Sequence, residues 1–263
     1  MIIYNEEEIR AIKKSNTIVA KILSELETMI KPGIQTKKLD EYAEMRAREM
    51  GATPAFKGYR GYPASLCTSI NEEIVHGIPS SRTLRQGDII SLDFGVLCEG
   101  YYGDAAATYP VGEVSPAARK LIQTAKVAFY KGLEQMKTGM RISDISCAIQ
   151  NHVESQGFSV IRAFVGHGIG LSLHEEPQIA NFGLPGRGPK IKPGMVLALE
   201  PMIAVGDWNV EILNDNWTAI TKDRSLSAHY EHTVAVRKEG PEILSALDEE
   251  RNRSYPLKEN HYA

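Results

Sequence analysis

The chain repeats itself, and the repeat restricts its fold more than any other feature. Residues 84–93 (LRQGDIISLD) return 107 positions later as residues 191–200 (IKPGMVLALE), so that Gly87 matches Gly194 and Asp93 matches Glu200. Upstream, Lys31-Pro32-Gly33-Ile34 answers Lys137-Thr138-Gly139-Met140, and Gly51 answers Gly157, each 106 positions apart. His76 stands three residues before Pro79, as His174 stands three before Pro177. Internal duplication accounts for these offsets better than chance likeness of two helix-turn-strand units. Each half would supply two helices, a Gly turn, and a strand ending on a carboxylate that faces a shared axis. The prediction is an α+β fold: a curved, largely antiparallel sheet with paired helices on its outer face. Nothing linker-like separates the halves, about residues 5–112 and 113–245. A single domain over 1–263 is expected, with a polar, irregular tail at about 248–263.

Local signals place the elements. Asn5 and Glu8 can form a capping box. Ile9, Ile12, Val19, Ile22, Leu23, Leu26 and Ile30 then keep helical spacing until Pro32-Gly33 stops it. A second helix is predicted from Thr36 to Gly51. Ser115-Pro116 is a cap followed by proline at the first helical position, opening a helix through Leu121, Val127, Phe129 and Leu133. Ser143 is predicted to open a fourth, ending near Gly157. Two strands, through Ile89–Gly95 and Tyr101–Thr108, read as a hairpin turning at Glu99-Gly100.

Five residues in strand-like segments share one chemical character: Asp93, Asp104, His167, Glu200 and Glu231. Taken singly, a strand carboxylate is ordinarily solvent-facing and a lone histidine a packing residue. Taken together, four carboxylates at strand positions are costly unless neutralised, and two divalent cations balance four negative charges. A carboxylate-rich set with one imidazole suits Co, Mn, Fe(II) or Zn better than thiolate-preferring ions. Two such ions about 3.5–4 Å apart, sharing carboxylates, ready water for attack at neutral pH. The glycines around His167, in Gly166-His167-Gly168-Ile169-Gly170, are expected to let backbone approach a ligand.

The bulk properties exclude other classes. A net charge of −3 with scattered basic residues gives no footing for nucleic-acid readout. Three cysteines without close spacing fit a reducing cytoplasm. The acidic start, Met1 to Glu8, is no secretory signal, and no apolar run reaches membrane-spanning length. A cytoplasmic protein with no membrane partner is expected.

Several separated motifs, in order, resemble those of type I methionine aminopeptidases in their compact bacterial form. They are Cys67 to Pro79 (CTSINEEIVHGIP), Gly166 to Gly170, His174-Glu175-Glu176-Pro177, and Ser227 to Thr233 (SAHYEHT), and the resemblance covers about residues 5–245. It implies the pita-bread fold, a pseudo-two-fold α+β domain. It implies removal of N-terminal methionine, preferentially before a small second residue, by water attack at a dinuclear metal centre. By resemblance Asp93 holds one ion, Asp104 and Glu231 bridge both, and His167 and Glu200 hold the other. His174 contacts the scissile carbonyl, His76 contacts the substrate beyond the cleaved bond, and Glu200 also shuttles a proton. Tyr59, Tyr62, Cys67, Leu173 and Trp217 match positions lining the family's methionine pocket. Leu173 stands where relatives often carry Phe, and Phe56 where some carry a small residue, which bears on side-chain stringency. His232 is set aside because strand alternation turns it away from Glu231. His152, read as lying on an exposed helix face, and His261, in the tail, are also set aside.

The implied partners are nascent polypeptide N-termini, with ribosome contact left open and monomer as the default. Two rival readings share the fold. An Xaa-Pro peptidase ordinarily carries an additional N-terminal domain and further histidines. A non-catalytic ribosome- or RNA-binding relative would have lost ligands and gained basic patches; here the five ligand positions are intact.

Overall fold

The helices begin where their caps dictate. In the computed structural model, which describes residues 1–247, α1 (Glu6–Met29) opens on Asn5. The Asn5 side chain accepts the N–H groups of Glu7 and Glu8 at 2.9 and 3.0 Å, and Glu8 accepts the Asn5 N–H at 2.8 Å. The expected capping box is therefore formed. α2 spans Thr36–Glu49, and α3 (Pro116–Leu133) starts from Ser115, whose hydroxyl accepts the Ala118 N–H at 3.1 Å. α4 (Ile142–Ser155) starts one residue earlier than Ser143 predicts. Asp144 takes the Arg141 N–H at 2.7 Å and so caps the helix. The Ser143 hydroxyl is engaged elsewhere, donating to the Arg187 carbonyl at 2.9 Å and accepting the Arg187 N–H at 2.6 Å. The tail expected at 248–263, with His261, lies outside the described residues.

All pairings in the main nine-stranded sheet are antiparallel. Its path runs Thr53–Pro54, Ile89–Cys98, Tyr101–Pro110, Glu231–Arg237, Val196–Leu199, Val165–Gly168, Glu175–Ala180, with Cys67–Ile70 and Gly240–Ile243 added alongside. The predicted hairpin is present and long: Ile89–Cys98 pairs in unbroken register with Tyr101–Pro110. Its two-residue turn has Glu99 at φ 50° and Gly100 at φ 84°. Two successive left-handed residues match the right-handed twist of the flanking strands.

The helices pack in pairs, α1 with α2 and α3 with α4. Each pair closes its own apolar layer against the sheet. Ile22, Leu26, Leu39 and Phe94 fill one layer, and Leu121, Phe129, Ile149 and Leu197 fill the other. The two-fold likeness read from the sequence recurs in the backbone. An isolated bridge joins Gln35 to Thr83 in the first half and Arg141 to Lys190 in the second. Gly33 donates to the Leu84 carbonyl at 2.8 Å, as Gly139 does to that of Ile191 at 3.0 Å. The fold is the curled half-barrel with four outer helices that the resemblance implied. Among the described residues no helix is long and apolar enough to cross a membrane, and the three cysteines are unpaired.

Candidate metal centre

Strand register brings the acids together. One cross-strand row runs from Cys67 through Asp93 and Ala106 to Glu231. Leu199 pairs with His232, so the next step along that row is Glu200. A second row, two residues along and therefore on the same face, runs from Gly95 through Asp104 to Thr233, Ala198 and His167. The Thr233 hydroxyl ties this row together by donating to the Asp104 carbonyl at 2.8 Å. Glycine, alanine and threonine between the acids leave room above the sheet. Strand period and register alone therefore gather five groups from distant parts of the chain.

Two of these acids are buried and two, Asp93 and Glu200, are partly buried, with no lysine or arginine paired to them among the described residues. Asp104 and Glu231 are 4% and 2% exposed, and none of the four carboxylates pairs with a lysine or arginine among the described residues. Eight buried side-chain polar atoms lack a hydrogen-bond partner among those residues. Five of the eight belong here: one oxygen each of Asp93, Asp104 and Glu231, and both ring nitrogens of His229. Burial pushes the carboxyl pKa values of Asp93, Asp104, Glu200 and Glu231 upward, and the mutual repulsion of the acids adds to the rise for the last three. An unpaired buried charge costs several kcal/mol, so the cluster is stable only when protonated or when cations occupy it. Ligand atoms of Asp104, His167 and Glu231 lie within 4.8 Å of one another, and so do those of Asp93, His229 and Glu231. The residues fit a pair of divalent ions that share Glu231.

The histidines are held in defined states. His167 Nδ1 lies 2.9 Å from the Gly168 carbonyl. A carbonyl only accepts, so Nδ1 carries the proton and the Nε2 lone pair faces the acids, 3.4 Å from Glu200 Oε1. Burial lowers the His167 pKa to about 4, which keeps the ring neutral. His174 stacks on Tyr59 with ring centroids 5.2 Å apart, and its Nδ1 lies 2.9 Å from the Tyr59 hydroxyl. One edge of His174 is open to solvent, yet its packing at the cavity mouth, helped by His167 and Arg60, pushes its pKa down. His76 has φ 61°, a backbone conformation that costs a non-glycine residue energy and recurs at functional positions. Its ring meets the edges of Phe164 and Trp217 at 5.4 and 6.3 Å.

One cavity of about 270 Å³ contains all of this. Asp93, Asp104, His167, Glu200 and Glu231 form its floor, and His76, His174, Tyr59, Tyr62, Cys67, Leu173 and Trp217 line the rest. The structure thus brings together every residue singled out in the sequence. Tyr62 is fixed by donating to the carbonyls of Gly77 (2.9 Å) and Leu66 (3.2 Å), and it packs edge-on against Trp217. Phe56 also reaches the wall.

Sequence reasoning missed His229, Phe164 and Met202, which line the same cavity. His229 could have been found by the alternation used to reject His232, since residue 229 lies two before Glu231. His232 itself points into the opposite core, against Phe129 and bonded to Ser245 and Tyr230. His152 is half-buried on α4 rather than exposed, because α3 covers that face, and it does not line the cavity.

Two of the glycines around His167 are required by strand packing. A Cβ on Gly166 would lie 2.5 Å from the Ala198 carbonyl oxygen, and one on Gly168 would lie 2.6 Å from that of Glu176. Gly166→Ala is therefore expected to destabilise the protein by about 1–3 kcal/mol, the usual cost of forcing atoms into a packed site. Thermal unfolding reads this directly; an unchanged Tm would mean the two strands separate freely.

A curled antiparallel half-barrel that gathers carboxylates and imidazoles in one cavity, the acids having no lysine or arginine partner among the described residues, is the setting of a metal-dependent hydrolase. The profile of metallopeptidase family M24 matches residues 10–238, and the chain belongs to that family, among its methionine aminopeptidases. It is 52% identical over 249 residues to the methionine aminopeptidase of Clostridium acetobutylicum, covering 94% of this chain and 100% of the relative. It is 50% identical to methionine aminopeptidase 1 of Bacillus subtilis, covering 91% and 97%. The crystal structure of the Thermotoga maritima methionine aminopeptidase superposes with a TM-score of 0.93 at 43% identity, covering 94% of this chain and 100% of that one.

Proposed function

We propose that this protein removes the N-terminal methionine from nascent proteins and peptides, preferring a small second residue, with Asp93, Asp104, His167, Glu200 and Glu231 holding two divalent ions. The observation that carries this reading is the acid cluster itself: four carboxylates, two buried and two partly buried, without lysine or arginine partners among the described residues, lining one cavity with apolar and aromatic side chains. Bound there, a pair of divalent ions supplies water activated at neutral pH and a polarised scissile carbonyl. The donor set suits Co, Mn, Fe(II) or Zn. Asp104 and Glu231 would hold both ions, Asp93 one of them, and His167 with Glu200 the other.

The remaining chemistry belongs to the chain. The acids line the same cavity as the apolar side chains, so the first side chain of a polypeptide entering by its end would lie beside them. Tyr62, Cys67, Leu173 and Trp217 surround a thioether with apolar surface and exclude water. When the Tyr59 hydroxyl donates to His174 Nδ1, 2.9 Å away, the ring proton is on Nε2, free to bond the scissile carbonyl oxygen as charge develops there. Glu200 takes a proton at a carboxylate oxygen from the attacking water and delivers it to the leaving amide nitrogen. His76, braced by Phe164 and Trp217, contacts the substrate beyond the cleaved bond.

Hydrolysis of Met-Ala-Ser against Leu-Pro, by protein reconstituted with Mn, Fe(II), Co or Zn, tests the reading. Methionine release from the tripeptide alone is expected. Cleavage of Leu-Pro alone would make it an Xaa-Pro peptidase, and inertness with all four ions would make it a non-catalytic relative.

Tyr59→Phe isolates the second role of that residue. Losing one neutral hydrogen bond is expected to lower kcat about 2- to 10-fold, on the order of 0.5–1.5 kcal/mol, with little change in KM. A raised KM at unchanged kcat would show that Tyr59 is only part of the pocket wall.

A further inference from the structure

We infer that His229 is a sixth ligand of this centre, giving an imidazole to the ion beside Asp93. The inference rests on the dinuclear reading above and extends it to a residue that the resemblance did not single out.

The His229 ring is 1% exposed, and neither nitrogen has a hydrogen-bond partner among the described residues. Nε2 lies 3.6 Å from Glu231 Oε2 and 3.9 Å from Glu200 Oε2. Both distances are too long for hydrogen bonds, yet they are distances at which two atoms share one ion. The ligand atoms of Asp93, His229 and Glu231 lie within 4.8 Å of one another. Bonds of about 2.0–2.2 Å to a central ion need only a small closure of that set. Its counterpart is Asp104, His167 and Glu231, within the same limit. Sharing Glu231, the two sets describe neighbouring positions, each with an imidazole of its own. Glu200 stands between the rings, Oε1 toward His167 at 3.4 Å and Oε2 toward His229.

The backbone holds His229 in place. Its N–H donates to the Thr108 hydroxyl oxygen at 2.9 Å, and that hydroxyl donates to the His229 carbonyl at 2.8 Å. The strand leaves the main sheet at Tyr230, where the neighbouring strand breaks at Pro201, and the Tyr230 N–H bonds the Pro201 carbonyl at 3.2 Å. Past this shared bend, residue 229 still faces the cavity. A second imidazole shifts the Asp93 position away from all-oxygen coordination, and so toward Fe(II), Co or Zn and away from Mn or Mg.

Titration of the full-length apo-protein with Co(II), followed by calorimetry and visible absorption, tests the assignment. Two ions per chain are expected. His229→Gln should weaken one of them 10-fold or more and alter its share of the Co(II) absorption, while the other keeps its affinity. Because a buried substitution can perturb folding, the wild-type protein is also labelled with ¹⁵N-histidine and loaded with Zn(II). Two metal-bound imidazoles are expected, from His167 and His229. Two ions with only one metal-bound ring, or wild-type affinities in a folded His229→Gln variant, overturn the inference and leave the dinuclear reading standing. A wild-type chain that takes up no ion overturns both.

Discussion

Glu200→Gln is expected to lower kcat by about 10³-fold or more, within the range a positioned proton carrier contributes, while leaving the fold intact. The side chain keeps its size, so the cavity walls are undisturbed. The amide cannot accept and pass on a proton, and it offers one weak oxygen where the carboxylate offers two. Peptide turnover at saturating metal, with circular dichroism on the same samples, reads both effects. Metal content measured alongside separates the two jobs of Glu200: full occupancy with lost turnover marks the proton carrier, and lost occupancy marks the ligand. Near-normal kcat would mean that it is neither.

Removing the metal is expected to make stability fall as pH rises, against the usual trend for carboxylates. In the metal-free fold burial raises the carboxyl pKa values of Asp93, Asp104, Glu200 and Glu231 above their ordinary values. Between the unfolded and folded pKa values the folded state binds more protons. The carboxyls' contribution is thus whole below about pH 4 and is lost as pH rises through the folded values. Six histidines, His76, His152, His167, His174, His229 and His232, pull the other way because burial lowers their pKa. Their contribution is complete above an ordinary histidine pKa of about 6.5, so the window from about pH 7 to 8 isolates the acids. Chelated protein should lose stability as pH rises through it, read as a falling Tm. Metal-loaded protein should not show the loss, and metal uptake should release protons. A Tm that is flat or rising in chelator across that window would mean that the four acids are not mutually strained.

Much of this was legible because it is local or periodic. The Asn5 box and the Ser115 cap lie within four residues of what they cap, so the helix starts could be read directly. Ser143 misled because its hydroxyl is claimed by Arg187, a partner 44 residues away. The Glu99-Gly100 turn was readable because few residues take two successive left-handed conformations. Part of the acid cluster was readable because strand period places Asp93 and Asp104 on the same face once the hairpin is granted, whereas Glu231 joins them through the pairing of its own strand. His229 went unread because the rule that removed His232 was not carried one step further along the strand. The packing role of the glycines beside His167 was not legible, because a missing Cβ looks the same in sequence whether it faces a ligand or a neighbouring carbonyl.

The sequence alone determined the duplicated helix-helix-strand plan, the cap positions and the chemical type of the centre. All three depend on short-range spacing and on the high cost of burying charge. Tertiary structure decided which side chains share a cavity with that centre: His229 beside the acids, His232 in the opposite core, Tyr59 against His174. Those neighbours are joined by sheet curvature and by a bend at Pro201 and Tyr230, and such contacts arise only when distant strands close on one another.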